Sequence, residues 1–486
     1  MQRLRLLKVI LVVLVFAGCQ STSQTKNEHP NVILIVADDL GWMDLGYTGS
    51  SFYETPNIDS LAASGMIFTD AYAASPVCSP TRSSIMSGKN PAKTKNTDWF
   101  GAPQPGDEFP GWMGHKTRKL EPAAYIEHMS LDEITIAEAL RNNGYKTFIA
   151  GKWHLGHDEK YWPQNQGFEI NKGGFSMGHP PVNDEADGYF SPYGNPRLSD
   201  GPKGEYLPYR LVEETRKFIH ENKGNPFFVY HPLYLVHTPL QAKEELIAKY
   251  QKKRDSLKLS DDFINFGDRK IRTVQSNVVY AAMVEAMDQV IGEIAKEVRA
   301  SGIEDNTIII FTADNGGLST NSAPTSNLPL KGGKGWMYEG GIREPMFIIW
   351  PGITKPGSKC SEPVITTDFY KTIVEMTGIE KPNQNADGKS LIPLLKQEKE
   401  FEREALYWHY PHYSPQGGKP ASAIRSGDWK LIKNYETNQV ELYNLKEDIG
   451  EMNDLSKINV EVKQKLENKL ENWLEEVDAS MPFHKQ

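Results

Sequence analysis

The segment Ser75 to Gly88, SPVCSPTRSSIMSG, places a cysteine and an arginine four residues apart at the start of a run that can form a helix. Ser79 fits an N-cap, Pro80 the first helical position, and Gly88 a stop. A cysteine at such a helix start faces unpaired backbone N–H groups, which attract anions and favour a thiolate or another negatively charged nucleophile. Arg82, one turn on from Cys78, adds a permanent positive charge. The plain alternative is a buried structural cysteine beside a surface arginine.

Other polar groups stand directly after apolar runs of strand length. Asp38 and Asp39 follow NVILIVA; Lys152 and His154, in GKWHLG, follow Tyr145 to Ala150. His237, in VHTPLQ, comes after Pro226 to Tyr230, and Asp314 and Asn315, in ADNGG, follow Thr307 to Thr312. Three carboxylates and an amide are hard oxygen ligands, suited to Ca²⁺ or Mg²⁺ and poor for zinc. Each aspartate alone could equally be a cap or a turn former. Lys152, the lysines of LKGGKGWMYEGG and Arg82 would surround such a metal with positive charge, a setting for phosphoryl or sulfuryl transfer. His154 and His237 are candidates to move the proton that a leaving alcohol needs.

The elements that must position these groups alternate along the chain. Helices at Ile58 to Ser64, Ile134 to Asn143, Leu211 to Glu221 and about Val274 to Ala300 interleave with strands at Asn31 to Ala37, Met66 to Ala71, Tyr145 to Ala150, Pro226 to Tyr230, Thr307 to Thr312 and Met346 to Trp350. This pattern predicts an α/β fold with a mostly parallel central sheet flanked by helices. Ligands collect beyond the C-terminal strand ends of such sheets, so the groups above share one rim. After about Pro382 come short strands, Ala405 to Tyr410, Ala421 to Arg425, Trp429 to Asn434 and Val440 to Asn444, then a helix from Asn459 to Glu476. We expect a main domain over residues 31–381 and a smaller α+β subdomain with an antiparallel sheet over 382–486.

Composition limits the function classes. The 486 residues, 39% hydrophobic and 24% charged with net charge −9, have no basic arm, which argues against nucleic-acid binding. Residues 1–18 read as an export signal: Arg3, Arg5 and Lys8 precede the apolar run Val9 to Phe16, too short to span a bilayer as a stable helix. Ala17-Gly18-Cys19 resembles a lipoprotein cleavage site that would leave Cys19 lipidated ahead of a polar linker over 19–30; simple secretion is the alternative. We therefore expect an exported protein, periplasmic or at the cell surface and anchored to the outer membrane by lipid only. With Cys19 so used, Cys78 and Cys360 either pair or Cys78 is chemically consumed.

The stretch Cys78-Ser79-Pro80-Thr81-Arg82 resembles the C-x-P-x-R signature of the type I sulfatases in the alkaline phosphatase superfamily, whose cysteine is oxidised to formylglycine. NVILIVADDLG, GKWHLG, VHTPLQ, TADNGG and GGKGWMYEGGIREP fall in that family's order. The resemblance implies a hydrated aldehyde at Cys78 as nucleophile, one geminal hydroxyl attacking sulfur and the second expelling sulfate. It also implies Ca²⁺ held by Asp38, Asp39, Asp314 and Asn315 with the residue at 78. Arg82 and His154 would hold and deprotonate the diol, Lys152 and Lys334 clamp the sulfate, and His237 protonate the leaving oxygen. Lys331 is an alternative to Lys334, and His231 to His237. A maturation enzyme in the host cell is the implied partner.

Substrate recognition is expected from loops rich in aromatic residues, with Trp99, Trp112, His115, His179 and His412 as candidates. Flat aromatic faces suit sugar rings, and they also build satellite cores. The expected activity is hydrolysis of sulfate esters of a carbohydrate, an algal polymer such as ulvan or carrageenan or a glycosaminoglycan. A formylglycine-dependent phosphodiester or phosphonate ester hydrolase, or a silent anchored glycan-binding protein, are the alternatives.

Overall fold

The apolar run Asn31–Ala37 forms an inner strand of a nine-stranded sheet in the computed structural model, which describes residues 29–115, 118–320, 324–382, 384–398 and 401–485. The proposed export signal and Cys19 lie outside the described residues. Across the sheet the order is Ser358–Cys360, Met66–Tyr72, Arg343–Ile349, Thr307–Ala313, Asn31–Ala37, Phe227–Pro232, Lys146–Ala150 and Ile170–Lys172, and Val364–Ile365 also pairs with Met66–Tyr72. Asn31–Ala37 is parallel to both neighbours, Thr307–Ala313 and Phe227–Pro232, so its C-terminal end opens onto the same rim as theirs.

Burial on both faces explains why these strands read as unbroken apolar runs. Ile33, Ile35 and Ala37 join Phe311 and Val229 on one face, under helices Leu207–Asn222 and Val278–Ala300. Val32, Leu34 and Val36 join Ile308, Ile310 and Tyr230 on the other, against Cys78–Ser87, Ile136–Asn142 and Asp368–Thr377. The long helix starts at Val278 and not near Val274, because the Asn277 side chain accepts the N–H groups of Val279 and Tyr280.

The sheet is mixed. Arg343–Ile349 runs antiparallel to both Thr307–Ala313 and Met66–Tyr72. A parallel return would need a crossover to the opposite edge, usually through a long helix. The connection from 314 to 338 has none among its described residues, so it stays on the rim where Thr307–Ala313 ends. That geometry delivers the GGKG loop to the site.

The C-terminal strands Leu406–Tyr410, Ala421–Ser426, Trp429–Asn434 and Val440–Asn444 form an antiparallel sheet in chain order. Helix Val460–Glu476 covers it by setting Leu466, Leu470 and Leu474 against Ile424, Leu431 and Leu442. Its other face docks on the main sheet through Trp408, fully buried, whose Nε1 donates to Ala73 O at 2.8 Å. Lys430, also fully buried, stands 2.8 Å from Glu339 Oε1 and 2.9 Å from Glu451 Oε1. Burial would raise Glu339, but Lys430, Arg343 and Arg425 hold it down to about 2. Removing the ammonium leaves the buried Glu451 without its cation and Glu339 with Arg343 at 3.1 Å. Lys430→Ala is therefore expected to cost about 3–5 kcal/mol in urea unfolding. A midpoint that barely moves would show that this ion pair does not hold the two sheets together.

Candidate active site

Helix Cys78–Ser87 begins two residues earlier than its sequence predicts, with Val77 in the N-cap position and Gly88 closing it in the left-handed region at φ 71°. Ser79 is thus not the cap. Its hydroxyl accepts the Phe100 N–H at 3.1 Å and lies 3.2 Å from His154 Nδ1. All ten residues of this helix are buried.

Burial changes the chemistry expected of Cys78. Loss of solvent raises the thiol above its ordinary value, and the carboxylates of Asp38 and Asp314 add to that, against Lys152 and Lys334. Cys78 is a neutral thiol, not the thiolate that a helix start alone would favour. The guanidinium of Arg82 pairs with carboxylates, Nε 2.7 Å from Asp314 Oδ2 and Nη2 3.8 Å from Asp38 Oδ1.

The rim assembles as the strand ends require. Lys152 Nζ lies 2.8 Å from Asp38 Oδ2, Lys334 Nζ is 2.7 Å from Asp39 Oδ1, and Asn315 Nδ2 donates to the same Asp39 oxygen at 2.8 Å. Asp39 and His154 both take positive φ, 60° and 57°, strained for residues with a Cβ and held by the surrounding packing. Burial pushes Asp38 up to about 8 despite Lys152, whereas Lys334, His237 and Lys152 overcome burial at Asp39 and hold it well below the carboxylate range. Two fully buried oxygens, Asp38 Oδ1 and Asn315 Oδ1, accept no hydrogen bond. Polar atoms are rarely left so, and a hard cation taking oxygen ligands from Asp38, Asp39, Asp314 and Asn315 fits this donor set.

The histidines are set for proton traffic. His154 Nε2 lies 3.2 Å from Phe100 O, to which it donates, and this leaves Nδ1 to accept, 3.6 Å from Cys78 Sγ. His237 Nδ1 donates to Thr238 O at 2.7 Å, which leaves Nε2 facing Asp39 Oδ2 at 3.6 Å. Burial, aided by nearby lysines, lowers both imidazoles well below their usual range, so both are neutral near pH 7.

Above this floor opens a cavity of about 430 Å³ whose walls include Cys78, His154, His237 and Lys334. Trp99, Trp112 and His179 line it, and His179 stacks on His237 with centroids 6.0 Å apart. His412 and His115 do not. His412, fully buried, binds Thr97 Oγ1 at 2.8 Å and faces Asp98 at 3.5 Å, so it braces the segment before Trp99. His115 binds Ser414 O at 2.7 Å. Lys331 is tied to Tyr443 and Glu451 at 3.1 and 3.0 Å, away from the cavity, and His231 is buried on its strand against Thr215. His157, Met177 and Gln416 line the wall without having been anticipated. For His157 the signal is its place three residues after His154, and for Gln416 its place in WHYPHYSPQGG, the aromatic and glycine-rich segment that joins the two parts of the chain; Met177 carries none. Cys78 and Cys360 are both free thiols.

Residues 30–379 match the family model described as Sulfatase, and residues 333–479 match N-sulphoglucosamine sulphohydrolase, C-terminal. A sulfatase of Formosa agariphila is 32% identical over 96% of this chain and 93% of its own length. Human N-acetylgalactosamine-6-sulfatase is 28% identical over 78% of this chain and 68% of its own. The crystal structure of Ps i-CgsB in complex with k-i-k-neocarrahexaose superimposes with TM-score 0.73 at 31% identity, covering 92% of each chain.

Proposed function

The chain belongs to the sulfatase family, and from that premise we propose that it hydrolyses sulfate esters of a sulfated carbohydrate with a formylglycine at position 78 and Ca²⁺ beside it. The observation that carries this reading is the site's floor: a neutral buried Cys78 among two lysines and two buried oxygens, one carboxylate and one amide, that accept no hydrogen bond. A hydrated aldehyde supplies a nucleophile with its own route to release, which a thiol lacks. Asp38, Asp39, Asp314 and Asn315 would hold the Ca²⁺, which would supply positive charge to developing sulfate oxygens.

The chain's own groups do the rest. His154 accepts a proton from the group at position 78 through the unprotonated Nδ1 that the Phe100 carbonyl leaves it, which also meets the Ser79 hydroxyl at 3.2 Å. Lys334, paired with Asp39, lines the cavity and is placed to meet sulfate oxygens, while Lys152, buried against Asp38, adds positive charge from beneath the floor. His237 presents Nε2 to the leaving oxygen, and an anionic ester bound beside it favours the protonated ring that this role needs. Trp99 and Trp112 offer ring faces for a sugar. The relative complexed with neocarrahexaose and the N-acetylgalactosamine-6-sulfatase both point to carbohydrate as the alcohol side of the ester.

An export signal with Cys19 lipidated would place the enzyme at the cell envelope, where polymer fragments arrive, and a maturation enzyme would have to act on Cys78. Turnover separates the sulfate reading from its phosphate alternative. Protein co-produced with a formylglycine-generating enzyme should hydrolyse 4-nitrophenyl sulfate with kcat/KM at least about ten-fold above 4-nitrophenyl phosphate, one decade being 1.4 kcal/mol of transition-state preference. The reverse order would replace the sulfatase reading with that of a phosphoester hydrolase.

A further inference from the structure

Resting on the sulfatase reading above, we propose that a second, acidic subsite adjoins the active-site cavity and selects substrates whose sugar next to the reacting sulfate is itself unsulfated. Trp99 and Trp112 form a wall shared by two cavities, the catalytic one and an outer one of about 450 Å³. Their rings lie 6.5 Å apart at 46°, and Trp112 is 64% exposed, so it presents a large apolar face to solvent at the mouth of both cavities. A sugar chain leaving the inner cavity would run across this wall.

The two cavities differ in charge. The inner one has Lys334 in its wall with Lys152 and Arg82 beneath, whereas the outer one carries Asp107, Glu108 and Glu127 and no cation among its described lining residues. Asp107 is fixed by the Gln104 N–H at 2.8 Å, and Glu127 by Gln104 Nε2 at 3.0 Å. The nearby Arg118 makes no ion pair with their carboxylates: its guanidinium lies over the Phe109 ring at 3.9 Å, reaches Glu121 at 3.6 Å, and meets Asp107 only at its main-chain oxygen, at 3.5 Å. His157 Nε2 meets Glu127 Oε2 at 3.3 Å from the inner side. One sulfate is thus attracted inward, and a second on the neighbouring sugar would meet three carboxylates. Like charges brought together at a binding surface discriminate against the wrong ligand more than they strengthen the right one.

Short oligosaccharides of κ-carrageenan, singly sulfated per disaccharide, and of ι-carrageenan, doubly sulfated, test this as competitors of 4-nitrophenyl sulfate. Each yields an inhibition constant whether or not it is hydrolysed. The κ series should inhibit about ten-fold more tightly than the ι series, the scale of a like-charge contact at a protein surface. In Asp107→Asn/Glu108→Gln/Glu127→Gln, compared within the same variant, that ratio should fall to near unity. Equal inhibition by both series in the unsubstituted enzyme, a ratio that the triple variant leaves in place, or no inhibition by either would overturn the subsite. Failure to turn over 4-nitrophenyl sulfate at all would instead count against the sulfatase reading, which keeps the two failures apart.

Discussion

Cys78→Ala is expected to lower sulfate release by about four orders of magnitude or more, because the proposed covalent route disappears while the cations and the cavity remain. The loss should be almost wholly chemical. Cys78 is buried at the start of a helix, where removing one sulfur from the core typically costs on the order of 1 kcal/mol. The variant should therefore unfold nearly where the unsubstituted protein does. A matched experiment uses the natural sequence produced without a maturation enzyme. Its thiol, raised by burial and paired with a neutral His154, should be as inactive as the alanine variant. Peptide mass spectrometry of the active protein should find the aldehyde at position 78 and Cys360 as a free thiol. Full activity from protein whose residue 78 is an unmodified thiol would refute the mechanism.

The second large effect is expected at Asp314. Its Oδ2 receives Arg82 Nε at 2.7 Å and its Oδ1 the backbone N–H of Asp39 at 3.3 Å, so it joins the helix of Cys78 to the proposed metal ligands. Truncation to alanine would leave Arg82 buried without its closest partner and would confound folding with function. Asp314→Asn keeps the shape and one acceptor oxygen but removes the charge. Activity and Ca²⁺ affinity should fall together by about a hundred-fold, as expected when a hard cation loses a carboxylate ligand. Calorimetric titration reads the affinity, and Ca²⁺ added at about a hundred times its Kd should raise the unsubstituted protein's stability by about 2.7 kcal/mol. Activity that survives a chelator unchanged would remove the metal from the proposal.

Much of this site was legible as sequence, for a physical reason. In a sheet whose inner strands are parallel, residues directly after each strand must arrive at one rim, so Asp38, Asp39, Lys152, Asp314 and Asn315 could be grouped before any contact was known. The continuous apolar runs marked those strands because both faces are covered. Helix ends were less well determined, since the side chain of Asn277 and the backbone of Val77, not the apolar period, decided where two of them begin.

What only the tertiary structure decided concerns direction, burial and charge. Local spacing put Arg82 beside Cys78, yet long-range pairing turns it to Asp314 and Asp38, and desolvation keeps the thiol neutral where a helix start alone predicts a thiolate. His115 and His412 have the residue type of ligand-binding groups but are used as braces, because their partners, Ser414 and Thr97, lie hundreds of residues away in the chain. Sequence alone thus determined which groups share the rim, since residues that directly follow parallel strands emerge at one end of the sheet. The tertiary fold determined their state, because burial and the choice of counter-ion depend on packing between segments that no local pattern links.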